Sequence, residues 1–136
     1  MTITPGAFAG KWTYRSYHNN PDIAVEPNDL LFGRAEIELV EEQDGKVAGT
    51  IGGPGWSLRL SGSAIYSPEA AVLKVQGVGE VNGETWVYDY IGYLAPVWSI
   101  GVDQRPAILG TVIRTVPHSG GQAAANYVAS FLAVKQ

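Results

Sequence analysis

Residues 35–51 run Ala35-Glu36-Ile37-Glu38-Leu39-Val40-Glu41-Glu42-Gln43-Asp44-Gly45-Lys46-Val47-Ala48-Gly49-Thr50-Ile51. In the first five, Ala35, Ile37 and Leu39 alternate with Glu36 and Glu38, the period-2 pattern of a strand with one face buried and the other in water. Asp44-Gly45 then supplies the positive-φ pair that a tight primed turn requires, and Val47 to Ile51 returns as the second strand. The segment is an antiparallel hairpin, and an all-β chain follows from finding the same device again.

Val72 to Glu80 runs into Asn82-Gly83 and returns as Glu84 to Tyr93, a second hairpin. Between the two lies a strand, Trp56 to Ala64, punctuated by Pro54-Gly55 and Ser67-Pro68. Gly10 to His18, Ala107 to Thr115 and Ala129 to Val134 add three more, while Ser119 to Tyr127, with three Ala after a Gly pair, reads as about one helical turn. Seven or eight strands joined by short turns escape exposed edges by closing or stacking. Hairpin following hairpin favours a single up-and-down antiparallel barrel of about eight strands spanning residues 1–136. The irregular stretch from His18 to Leu30 becomes a loop across one mouth, a length common among lids and binding loops.

Composition narrows the function. The chain has 136 residues, 46% hydrophobic and only 16% charged, with a net charge of −4. No cluster of Lys and Arg exists to neutralise phosphates, so nucleic acid is not an expected partner. No apolar run approaches the roughly 20 residues of a spanning helix, so a membrane is not expected either. Met1 to Pro5 lacks the charged and apolar regions of a signal peptide, which makes a cytoplasmic location the expectation. There is no Cys, and His18 and His118 are the only His, without metal-ligand spacing. No nucleophile elbow, phosphate loop or dinucleotide fingerprint occurs, so neither a metal nor a cofactor is expected.

The first strand carries the best candidate site. Trp12, Tyr14, Ser16 and His18 share one face, and Trp86, Tyr88 and Tyr90 share a face of the strand after Asn82-Gly83. Pointed inward, these side chains offer rings and hydroxyls to one space, the description of a pocket for a small apolar or aromatic molecule. Large side chains that simply fill the barrel are the alternative, giving a structural or oligomeric module. A further alternative is catalysis without a cofactor, as an isomerase, cyclase or lyase with His18 and Tyr14 as an acid–base pair. Trp98, Asp103, Gln104 and Arg105 fall in one connection, suited either to recognition or to capping their own turns.

Gly10-Lys11-Trp12 at the first strand and Arg114 on a late one resemble the calycin superfamily of lipocalins, fatty-acid-binding proteins and avidins. Asp44-Gly45-Lys46-Val47-Ala48-Gly49-Thr50, Leu60-Ser61-Gly62 and Thr85-Trp86 with Asp89-Tyr90-Ile91-Gly92 are similar to avidin and streptavidin in particular. The resemblance implies that Arg114 packs across Trp12 to close one barrel end, although a guanidinium in a cavity also suits a carboxylate. It places Tyr14, Ser16 and His18 where biotin-binding members have an Asn, an apolar residue and a Ser. Ile51, Gly53, Val112 and Arg114 replace other residues of that site, and Ser130 stands near its Asp, so biotin is not the expected ligand.

Association is the last expectation. With 9 Lys and Arg and 13 Asp and Glu, several outer strand faces must be apolar. Residues 107–115 and 129–134 show apolar groups on both faces, which a homodimer or homotetramer would cover.

Overall fold

The computed structural model describes residues 4–95 and 97–136. Strands β1 (Gly10–His18), β2 (Leu31–Glu41), β3 (Lys46–Gly53), β4 (Trp56–Tyr66), β5 (Ala71–Val81), β6 (Glu84–Ala95), β7 (Ala107–Arg114) and β8 (Tyr127–Lys135) follow one another around a closed antiparallel barrel. Every strand pairs with its sequence neighbours, and β1 closes the ring on β8 through Trp12 opposite Lys135 to His18 opposite Ala129. Closure satisfies the ladder on both sides of each strand and leaves no edge to template aggregation.

Asn82 and Gly83, the two residues between paired Val81 and Glu84, adopt φ of 52° and 79°, the positive pair of a two-residue hairpin. Asp44 and Gly45 are also at positive φ, 62° and 74°, but they lie in a longer connection that includes a short 3-10 turn over Gln43–Gly45. Gly55, after Pro54, takes φ of 81° as the third residue of a proline turn. Packing demands glycine elsewhere: a Cβ on Gly110 would lie 1.9 Å from the Ile91 carbonyl oxygen of the neighbouring strand.

Alternation decides what fills the barrel. Leu39, Ile51, Leu60, Leu73 and Ile108 form an aliphatic layer across one half, with a residual void of only about 10 Å³. Burying each such side chain is worth about 1.5–3 kcal/mol relative to exposure. Below the layer, the strand ends are sealed by Phe8 and Trp12, both fully buried. The Trp12 indole N–H donates to the Phe8 carbonyl at 2.9 Å. Glu41 clasps the preceding segment, its carboxylate accepting from the Phe8 amide at 2.9 Å and from the Tyr66 hydroxyl at 2.6 Å.

Two sequence expectations are corrected here. Arg114 does not cross Trp12, because the two lie at opposite ends of the barrel: Arg114 pairs with the first residue of β8 and Trp12 with the last. Lys135 takes that place, its ammonium 5.2 Å from the Trp12 ring centroid and bonded to the Ala9 carbonyl. The segment 119–127 is not a helical turn either. His118 and Ala123 form an isolated antiparallel bridge around Ser119, Gly120 and Gly121, all at positive φ, a conformation that a right-handed helix excludes.

Candidate functional site

Opposite the sealed end, the barrel is hollow. A cavity of about 300 Å³ opens between the ends of β1, β2, β4, β6 and β7, walled by Phe32, Trp56, Leu58, Trp86, Tyr90 and Val112. Its floor is an aromatic layer. Tyr14 meets Tyr90 edge-on at 6.1 Å and lies 5.5 Å from Phe131, geometries that ring quadrupoles favour. Burial pushes the Tyr14 hydroxyl well above its ordinary pKa, with Ser16 partly offsetting it, and burial does the same to Tyr90. Both phenols are therefore neutral across the physiological range.

One side of the cavity is polar. Arg114, 7% exposed, donates from Nε to the Tyr88 hydroxyl at 2.9 Å and from Nη1 to the Ala124 carbonyl at 3.1 Å. The Tyr88 oxygen also lies 2.8 Å from His118 Nε2, whose Nδ1 is 2.9 Å from the Ser119 hydroxyl. The chain is fully satisfied when Tyr88 donates to Nε2 and His118 carries its proton on Nδ1. A lowered His118 pKa agrees, since burial and then the positive charge of Arg114 disfavour the imidazolium, while Glu84 acts in the opposite sense. The guanidinium is framed by Phe32, Tyr127 and Tyr88, with centroids at 5.5, 5.5 and 5.6 Å, inside the range of cation–π attraction.

Trp86 completes this side. Its ring stacks on His118 at 3.9 Å and 12°, yet its indole N–H is buried and meets no acceptor. The turn that delivers His118 is anchored by Glu84, whose carboxylate accepts from the amides of Ser119 at 2.8 Å and Gly120 at 3.1 Å.

Of the residues singled out from the sequence, Tyr14, Ser16, Trp86, Tyr88, Tyr90 and Arg114 all line this cavity. Trp12 belongs to the sealed end. His18 stands half-buried at the rim, hydrogen-bonded to the Tyr127 hydroxyl and edge-on to Phe32 at 5.1 Å. Four residues along a strand separate Cα atoms by about 13 Å, so His18 and Tyr14 are not neighbours despite sharing a face. Ser130 points outward and donates to the Asn19 side chain at 2.6 Å. In the 97–106 connection, Gln104 accepts from the Trp98 amide at 2.8 Å, and Arg105 donates to the Lys135 carbonyl at 3.3 Å, so these two side chains cap and tether their own loop.

His118, Phe32, Trp56 and Leu58 are lining residues that sequence reasoning passed over, whereas Val112 stands where the resemblance put a site residue. Trp56 and Leu58 were reachable by carrying strand alternation back from Leu60 to the Pro54-Gly55 turn. His118 left no local signal, for it sits among turn residues and is placed by long-range contacts with Trp86 and Tyr88 and by the hold of Glu84 on its turn.

A shallower groove of about 720 Å³ crosses the outer wall at β1, β2 and β3, bordered by Lys11, Arg15, Glu36 and Glu38. It is a solvated charged face rather than a pocket. Among the described residues, no three His, Asp or Glu side chains gather where they could hold a metal ion. Comparison with family models, with curated proteins and with solved structures finds no match.

Proposed function

We propose that this protein binds a small apolar or aromatic molecule in the open half of its barrel. The observation that carries the reading is the division of the interior: aliphatic side chains pack one half, whereas the other keeps about 300 Å³ within aromatic walls. Ligand cavities occupy about 300–1,000 Å³ and combine apolar walls with a few placed polar groups. An engineered apolar cavity of about 150 Å³ holds benzene, so a ligand of about two rings fits here. The closed eight-strand meander also supports the calycin-like reading of the sequence motifs, with a binding site unlike that for biotin.

Tryptophan fluorescence tests the proposal, since Trp56 and Trp86 line the space. Titration with naphthalene or indole should give saturable quenching at one molecule per chain, and Val112→Phe, which fills the cavity, should abolish it. Quenching that never saturates, or that persists unchanged in Val112→Phe, would reject a ligand site here.

We propose in addition that a second copy of the chain covers the outer faces of β7 and β8. The support is an apolar surface built from Ile91 and Tyr93, 46% and 52% exposed, beside outward-facing Leu109, Ile113 and Leu132.

A further inference from the structure

The polar side of the cavity is asymmetric in a way that constrains the ligand's chemistry. Arg114 is more than nine-tenths buried as a residue, and its two hydrogen-bond partners, Tyr88 and Ala124, offer neutral oxygens. Among the described residues no carboxylate forms an ion pair with it. A buried charge is ordinarily paired, because desolvation is repaid only by an opposite charge in good geometry. Hydrogen bonding uses Nε and Nη1, leaving the Nη2 hydrogens unspent on a side chain that lines the cavity.

Its neighbours are donors too. The Trp86 indole can only donate and has no acceptor, and a buried donor left unsatisfied costs about 1–3 kcal/mol. Tyr88 spends its hydrogen on His118, whose second nitrogen is engaged by Ser119. Glu84, at the same end of the barrel, is held by the Ser119 and Gly120 amides. The Trp86 nitrogen is closed to a water-sized probe, so the uncommitted N–H groups facing the cavity are those of the Arg114 cation.

We propose that the ligand is a flat aromatic or alicyclic monocarboxylate, its carboxylate received by Arg114, its ring body lying against Leu58, Tyr90 and Val112. A planar guanidinium presents parallel donors that match both oxygens of a carboxylate. Tyr88 occupies the Nε edge of the guanidinium and Ala124 meets Nη1, which leaves Nη2 for the ligand. A neutral isostere would fill the same volume but leave the buried charge uncompensated.

This inference rests on the cavity being a ligand site, and the test separates the two. Calorimetric titrations compare naphthalene-2-carboxylate, its neutral carboxamide and naphthalene against the wild-type protein, Arg114→Lys and Arg114→Met. The acid should bind at least about tenfold more tightly than the amide in the wild type. Arg114→Met should erase that preference, and Arg114→Lys should keep part of it. Equal binding of acid and amide by the wild type overturns the carboxylate assignment while leaving an apolar site standing, and this comparison needs no variant to fold. Binding of none of the three compounds overturns both readings.

Discussion

His118 holds its place by being neutral. Its Nε2 accepts from Tyr88 and the ring stacks on Trp86, so a proton added at Nε2 would face the Arg114 guanidinium beyond Tyr88. Burial first, and Arg114 second, lower its pKa from the ordinary 6.5. Unfolded, the ring gains a proton near 6.5; folded, it does so only at lower pH, so the unfolded state binds more protons over that interval. The stability the neutral ring contributes is complete above about 6.5 and is lost as pH falls through the folded-state midpoint. Ring-proton NMR should place that midpoint below 6.5, and Arg114→Met should return it part of the way, since burial remains. A wild-type midpoint at or above 6.5 would contradict the network. Tyr66 behaves in the opposite sense: burial and its hydrogen bond to the Glu41 carboxylate raise its pKa to about 12. Its contribution is complete below pH 10 and is lost as pH rises through 12. An alkaline titration followed by phenolate absorbance should show loosening of the Phe8 segment over that range, absent in Tyr66→Phe.

The strands owe their close packing to glycines placed against neighbouring backbone. Gly110 sits between β6 and β8, opposite Gly92 and Phe131, and a Cβ there would overlap the Ile91 carbonyl. Gly49 and Gly62 stand in the same relation to Glu38 and Lys74, where an added Cβ would fall 1.9 and 2.0 Å from the carbonyl oxygens. These contacts are with backbone and have no flexible side chain to yield, so the ladder itself must shift. Gly110→Val should therefore destabilise the barrel by roughly 2–4 kcal/mol, within the range of severe overpacking and strain. Thermal unfolding checks the figure, and a midpoint within a degree or so of wild type would show that the sheet absorbs the side chain elsewhere.

The whole barrel is filled at one end, hollow at the other, and apolar over part of its outside. Ile113 stands between buried Val112 and Arg114, and Leu132 between buried Phe131 and Ala133, so both point outward. With Tyr93, Leu109 and Leu132 in one row across β6, β7 and β8, the wall offers a continuous surface for a second copy. A symmetric pair would bury each residue of the patch twice. Light scattering at micromolar concentration should find a dimer or tetramer, and Ile113→Glu or Leu132→Glu should shift it to monomer by placing a charge in an apolar contact. A wild-type monomer would refute the association. The glutamate variants should still bind a cavity ligand, because neither side chain reaches the interior.

Strand periodicity and turn chemistry act between residues two to five positions apart, and so they are written in the chain itself. Alternation put Tyr14 and Ser16, Tyr88 and Tyr90, Ile37 and Leu39 on inner faces, and Asp44-Gly45 and Asn82-Gly83 committed their hairpins to a single geometry. Hairpin order alone then implied a closed meander. Which end of each inner face is sealed and which is hollow is not local. It depends on strand stagger around the closed ring, which sends Trp12 to Lys135 and sends Arg114 to Tyr88, 26 residues away in sequence. The same closure carries His118 back over Trp86 from a Gly-rich turn and leaves a guanidinium with no counter-charge among the described residues. Those contacts exist only because eight strands close side by side into one ring, since neither partner's own neighbours in sequence could hold it there.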